Sequence, residues 1–363
     1  LTRAGLRRIA VLTGGGDAPG LNAVVRAVAK SAFGKGWEVL GIEDGFEGFY
    51  HEGGIRPLSR GHVRGILQTG GSILRCSNRG DPFRFPVAGS EPQDRSAEVI
   101  AAVDRLGLDA LVVIGGDGSL GIAARLSQRG VPVVGIPKTI DNDVWGTDVT
   151  FGFNTACETV MQAVDRLHTT AASHQRVMVI EVMGRDAGWI ALEGGASGGG
   201  DVILIPEIPF DLEAVCGKIR ERAREASGFS LVVAAEGAYA AGGEKTVVVT
   251  AEESATGFER LGGVGESVAR TIERREGVEC RATVLGHVQR GGSPTSRDRM
   301  LGTRFGVGAV DLVERGLTGR MVAIRAERIV DVPLDEVVGR AKRVDPEGQE
   351  VRAVESIGVS FGR

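Results

Sequence analysis

The stretch Val134-Gly135-Ile136-Pro137-Lys138-Thr139-Ile140-Asp141-Asn142-Asp143 decides how the rest of the chain is read. Its first half continues a run of small and β-branched residues from Val131 to Ile136, which predicts a strand ending in a proline turn. Its second half sets two carboxylates, Asp141 and Asp143, behind a lysine and a threonine. In an open α/β sheet, ligands collect outside the carboxyl ends of the parallel strands. An acid pair, a cation and a hydroxyl delivered there suit phosphate, a metal ion and a proton together. Asn and Asp are also ordinary turn residues, so the stretch on its own is equally a surface turn.

Similar apolar runs lie on either side of it: Ile9–Leu12, Ala110–Ile114, Val177–Val182, Val202–Ile205, Leu231–Ala235 and Ala282–Leu285. Each is continuous rather than alternating, as strands buried on both faces are. Between them, Leu21–Phe33, Ala97–Leu106 and Cys157–Thr169 carry apolar residues at helical spacing. Strands alternating with helices predict an α/β fold of βαβ units with mostly parallel sheets. The pattern restarts near Phe151, so two such sheets are expected, each within a Rossmann-like αβα sandwich. No short-period repeat interrupts it.

Composition narrows the class. The 363 residues are 42% hydrophobic and 25% charged, enough for two cores in a soluble globular protein. Fifty-six glycines without a Gly-X-Y period exclude collagen and mark many close turns. A net charge of −4 gives no reason to expect nucleic acid as a partner. Four dispersed cysteines, no apparent leader and no run near ~18 apolar residues predict a reduced cytoplasmic protein without a membrane partner.

Glycine-rich turns follow several of the strands. Thr13-Gly14-Gly15-Gly16-Asp17-Ala18-Pro19-Gly20 opens a helix, where free backbone N–H groups and the helix dipole favour phosphate. It matches neither the dinucleotide fingerprint nor the P-loop. Gly115-Gly116-Asp117-Gly118-Ser119 repeats the arrangement, with Asp117 as a hard oxygen ligand suited to Mg²⁺. That turn also resembles the signature of NAD and lipid kinases. Arg176 precedes one strand of the second half, and Met183-Gly184-Arg185-Asp186 follows it, offering guanidinium groups to phosphoryl oxygens. Glu236 follows another strand and could accept from a sugar hydroxyl. Arg281, His287 and Arg290 gather around a further glycine-rich turn as a phosphate-contact set. No second ligand stands at zinc spacing from His287.

Five of these motifs together, GGGDAPG, GGDGS, PKTIDND, VMGRDAGW and LGHVQRGGSP, resemble the 6-phosphofructokinase family from Ile9 to about Ala323. The resemblance implies phosphoryl transfer from Mg-ATP to the 1-hydroxyl of fructose 6-phosphate in a cleft between two domains. It implies a nucleotide domain of residues 1–150 plus about 264–310, and a sugar-phosphate domain of 151–263 plus about 311–363. Asp141 would take the hydroxyl proton, Arg185 would balance charge, Thr139 would bond phosphoryl oxygens, and Asp117 would hold Mg²⁺ with help from Asp143. Donor phosphates would lie on Gly15, Gly16, Gly116, Asp117, Gly118 and Ser119. The sugar would meet Met183, Gly184 and Glu236, and its 6-phosphate Arg176, Arg281, His287 and Arg290. The family takes Arg176 and Arg281 from a neighbouring subunit, implying a homo-oligomer, a tetramer or a dimer.

The chain departs from the family pattern at three places. ATP-using bacterial members commonly carry glycine at the positions of both Gly118 and Lys138, whereas pyrophosphate-using members carry Asp and Lys. An acid at position 118 would crowd and repel the α-phosphate of ATP, so Gly118 favours ATP, with pyrophosphate as the alternative donor. One extra residue in Arg75-Cys76-Ser77-Asn78-Arg79 makes Arg79 the expected donor-side arginine, with Asn78 as the alternative. At the effector site Arg26 is kept and Asp201 could hold a metal. His168 replaces an arginine there, and the Ala226-Ser227-Gly228 region lacks lysines, so weak or absent regulation is expected.

Overall fold

A computed structural model of the chain describes residues 7–87, 89–225, 228–250 and 260–363. Leu1 to Leu6 of the basic N-terminal stretch lie outside the described residues, as do Ala226 and Ser227 of the expected effector region. The chain forms two compact units. The first comprises Leu1–Thr139, Val144–Gly152 and Arg290–Ala341; the second comprises Ile140–Asp143, Phe153–Gln289 and Lys342–Arg363.

Among the described residues the first unit builds an eight-stranded sheet. Its order is Arg328–Pro333, Arg320–Arg325, Val133–Thr139, Ala110–Gly115, Arg8–Thr13, Glu38–Ile42 and Ile55–Pro57, with Phe151–Gly152 pairing beside Val133–Thr139. The interior pairs are parallel, and the outermost strands at both ends run antiparallel. Ala110–Gly115 and Val133–Thr139 are buried at every residue, the second strand carrying the polar Lys138 and Thr139 at its end. One face carries the helices Leu21–Gly34 and Ser296–Glu314, whose Val24, Val28, Phe305 and Ala309 close a core against Val11 and Val112. The other face carries Ser96–Leu106 and Asp117–Gln128 over Leu12, Leu111 and Val113.

In the second unit, the parallel sheet runs Val202–Leu204, Ser230–Ala235, Val177–Val182, Cys280–Val284. The helices Leu212–Arg224 and Val264–Glu276 cover one of its faces through Val215, Ile219, Val268 and Ile272. Glu181, 3% exposed in the middle strand, ties this unit together. Its carboxylate accepts the N–H of Gly263 at 3.0 Å and of Gly265 at 2.8 Å, capping the helix that begins at Val264.

Two expectations need correction. Residues 264–289 belong to the second unit and 311–341 to the first, the reverse of the expected split. The reason is strand pairing: Cys280–Val284 adds to Val177–Val182, and Arg320–Arg325 adds to Val133–Thr139. Nor does the key strand stop in a turn at Pro137. It continues to Thr139, with Pro137 at the last rung opposite Gly115 and Lys138 opposite Phe151. Among the described residues no helix is long and apolar enough to cross a membrane.

Glu181→Gln puts an amide NH₂ where two N–H groups need acceptors. It should lower unfolding free energy by about 1–3 kcal/mol, read as a shifted urea midpoint with unchanged slope.

Candidate active site

Sheet topology chooses where ligands can go. In the first unit the chain leaves Arg8–Thr13 for Glu38–Ile42 on one side and returns to Ala110–Gly115 on the other. The loops after Thr13 and Gly115 therefore diverge, leaving a crevice at the strand ends. Those loops are the two glycine motifs. The register pairs Thr13 with Ile114, and the Gly14 N–H donates to the Ile114 carbonyl at 2.8 Å. Ser119, 7% exposed, fills the space beside Gly14 and Gly115, where a Cβ on either glycine would collide with it. Gly15 and Gly16 thus lie in one turn, and Gly116, Asp117, Gly118 and Ser119 in or beside the turn next to it.

Lys138 completes this group. It is 3% exposed, its Nζ donates to the Gly16 carbonyl, and it lies 3.4 Å from where a Cβ on Gly15 would sit. Thr139 is buried next to it, its carbonyl accepting the Thr150 hydroxyl at 2.8 Å. The Gly15 N–H donates to the Ser77 carbonyl at 2.9 Å, so the segment carrying Asn78 and Arg79 runs beside the same loop. Ser77 is a contributor that sequence reading missed, because its backbone does the work and leaves no side-chain signature.

Asp117 starts the helix Asp117–Gln128. Its side chain is open to solvent, yet the surrounding protein desolvates it enough to hold its carboxyl above the usual aspartate pKa. A carboxylate with that incentive to gain a cation fits Mg²⁺, which takes one or two protein carboxylates and completes its shell from phosphates and water. Among the described residues no cluster of three or more His, Cys, Asp or Glu could hold an ion without such outside ligands. A Cβ on Gly118 would meet nothing within 4 Å. Next to it opens a cavity of about 400 Å³ lined by Asp81, Gly121, Ile122, Arg125 and Gln128, with the Arg125 guanidinium 3.7 Å above the Phe83 ring. That volume lies within the usual range for small-molecule sites.

The second unit repeats the topological logic. The chain leaves Val177–Val182 toward Ser230–Ala235 on one side and comes back as Cys280–Val284 on the other. Met183, Gly184 and Arg185 leave one strand end, Gly286 and His287 the next, and Glu236 the third. Glu236 accepts the Arg185 N–H at 3.2 Å, and the Gln289 side chain accepts the Met183 N–H at 3.3 Å. Gln289, wholly buried, sits inside a motif already singled out, so its burial was the signal overlooked. Arg185 has φ 51°, and a Cβ on Gly237 would collide with its carbonyl, which makes glycine obligatory there. Asp141 is 5% exposed and Asp143 half-buried in this unit.

Some residues stand apart from their expected companions. Arg290 falls in the first unit, its Nη1 3.1 Å from the Asp17 carbonyl and against Gly16, so it joins the glycine loop rather than His287. Arg176 and Arg281 both reach the Glu279 carboxylate, at 3.3 and 2.7 Å. Asp201 is committed to Arg222 at 3.0 Å and to the Leu231 N–H at 2.9 Å, while His168 packs edge-on against Phe229. Those partners occupy the carboxylate expected to hold an effector's metal.

Two parallel α/β units, each presenting glycine turns, carboxylates and arginines at its switch point, define an enzyme that handles phosphate esters. The chain belongs to the phosphofructokinase family, whose model matches residues 8–313. It is 51% identical over 359 residues to the ATP-dependent 6-phosphofructokinase of Chloroflexus aurantiacus, covering 98% of both chains. It is 50% identical to the pyrophosphate–fructose 6-phosphate 1-phosphotransferase of Streptomyces coelicolor, covering 98% of this chain and 100% of that one. Among solved structures, phosphofructokinase of Pichia pastoris superposes with a TM-score of 0.80 at 31% identity over 99% of this chain. The present chain spans 38% of that longer polypeptide.

Gly237→Ala should displace the Arg185 carbonyl and lower kcat about 100-fold, as an ångström-scale shift of a charge-bearing loop does. Steady-state kinetics of the variant, beside its circular dichroism spectrum, checks this.

Proposed function

We propose that this protein transfers the terminal phosphoryl group of ATP to the 1-hydroxyl of fructose 6-phosphate, giving fructose 1,6-bisphosphate and ADP. Membership of the family and the named ATP-dependent relatives support the reaction. The observation that carries the donor is the open space at Gly118, which adjoins a cavity of nucleoside size in the first unit.

Each residue then has a task. The Gly15–Gly16 and Gly116–Ser119 turns, with Lys138 and Arg79, hold the donor phosphates. Asp117 holds Mg²⁺, assisted by Asp143. The ion, when bound, neutralises charge on the β- and γ-phosphoryl oxygens. Asp141 accepts the proton from the sugar hydroxyl as that oxygen's acidity rises along the reaction. Arg185 and Thr139 stabilise charge on the transferring group. Met183, Gly184 and Glu236 orient the sugar, and His287, Arg176 and Arg281 bind its 6-phosphate. Arg290 remains a phosphate-binding arginine, starting from its bond to Asp17. Arg176 and Arg281 act from a neighbouring copy, so the working enzyme is a homo-oligomer, a tetramer or a dimer. It works in the cytoplasm, and its effector site responds weakly because Asp201 is already paired.

A second reading, pyrophosphate as donor, is favoured by the Lys138 ammonium within the glycine loop and by the Streptomyces coelicolor relative. Aldolase-coupled assays with fructose 6-phosphate and either Mg-ATP or Mg-pyrophosphate decide. Turnover is expected with Mg-ATP, and turnover with pyrophosphate alone would overturn the donor assignment. Gly118→Asp should cut kcat/KM for Mg-ATP about 100-fold through like-charge repulsion, leaving the KM for fructose 6-phosphate within about threefold.

A further inference from the structure

We propose that Lys342 is a positioning residue for the Asp141–Asp143 turn, acting on the proton-accepting step through Asn142; the inference rests on reading Asp141 as the base. Asn142 separates the two aspartates. It is 3% exposed and has φ 55°, a left-handed backbone that an L residue other than glycine adopts at a cost. Something in its surroundings must hold it there, since a relaxed Asn142 would swing the carboxylates on both sides of it. Lys342 supplies that hold twice over. Its Nζ donates to the Asn142 side-chain carbonyl at 2.8 Å, and its backbone N–H donates to the Asp143 carbonyl at 2.8 Å.

The same residue is itself fixed. The Trp189 indole N–H donates to the Lys342 carbonyl at 3.0 Å, and the Lys342 ammonium lies 5.4 Å from the centroid of that ring. Two residues on, the Val344 N–H donates to Glu207, whose carboxylate also accepts the Gly188 N–H. Trp189 and Gly188 end the turn that carries Arg185. All these groups belong to the second unit. Lys342 thus joins the turn of the base to the turn of the charge-balancing arginine, so that neither moves alone. It lies beyond residues 8–313 matched by the family model, and its side chain does not need to touch substrate for this role.

Lys342→Met in the full-length protein keeps the aliphatic stem and the backbone bonds but removes the bond to Asn142, together with the ammonium over the Trp189 ring. The variant should lose kcat about 10- to 100-fold with both KM values within about threefold, and Lys342→Arg should recover most of the loss. In an Asp141→Asn background, Lys342→Met should cost nothing further, because the residue acts through Asp141. Equal losses in both backgrounds, or kcat within about twofold of wild type, would overturn the proposal. Hydrogen–deuterium exchange gives a readout independent of turnover: peptides over residues 140–144 should exchange faster in Lys342→Met, while those over Val177–Val182 stay protected. Unchanged exchange at 140–144 overturns the positioning role even if the wild-type protein proves inactive on fructose 6-phosphate. Wild-type inactivity with raised exchange sinks the functional reading alone.

Discussion

The pairing of Thr13 with Ile114 is the constraint on which the face proposed to handle phosphate depends. Parallel pairing fixes where each strand stops, and here both stop within a residue of each other. Two glycine turns therefore leave the sheet side by side, at one crevice beyond the strand ends. A slip of one residue would turn every core side chain of Arg8–Thr13 to the wrong face. The buried faces, with Val11 and Ile9 against one helix layer and Ala10 and Leu12 against the other, forbid that slip. Hydrophobic burial thus aligns the polar groups, although it has no part in the chemistry.

The second unit reaches a comparable result with charge. Glu181 and Glu207 are buried or partly buried carboxylates whose acceptors are taken by backbone N–H groups at helix starts and turns. Burial pushes Glu207 above the ordinary glutamate pKa despite those bonds. Such carboxylates are tolerated only where donors converge on them. They therefore nail particular loops in place: Glu181 the start of Val264–Glu276, Glu207 the Gly188 turn and the C-terminal segment. Arg185, at φ 51°, is held between that turn and Glu236.

The parts of this architecture legible in the sequence were those with a local cause. Ala110–Ile114 and Val177–Val182 announce buried strands because runs so largely apolar suit both faces, Glu181 being the one polar exception. GGGDAPG and GGDGS announce phosphate because few other turns need so many residues without a Cβ. Which sheet the later strands join was not legible. Cys280–Val284 and Arg320–Arg325 are chosen by the free edge that each sheet offers, a property of the folded units rather than of either segment. Lys342, Ser77 and Gln289 escaped for a related reason. Lysine, serine and glutamine in polar surroundings look solvated until their partners, distant in sequence, are known.

The mixed pair at Gly118 and Lys138 loses its contradiction once each is placed. Gly118 opens onto a cavity beside the helix Asp117–Gln128, where a donor's nucleoside end has room. Lys138 reaches into the Gly15–Gly16 turn, with its Nζ on the Gly16 carbonyl. On the proposed assignment the two residues would therefore read different portions of a donor. A lysine in a phosphate-binding turn attracts the phosphoryl chain that ATP and pyrophosphate share, and so discriminates little between them. On the same assignment, the residue at position 118 would face the part only ATP possesses. An acid there would reject the nucleotide; glycine admits it. When one position senses what the candidates have in common and another senses where they differ, the second governs choice. The lysine can then be kept for its affinity without setting the donor.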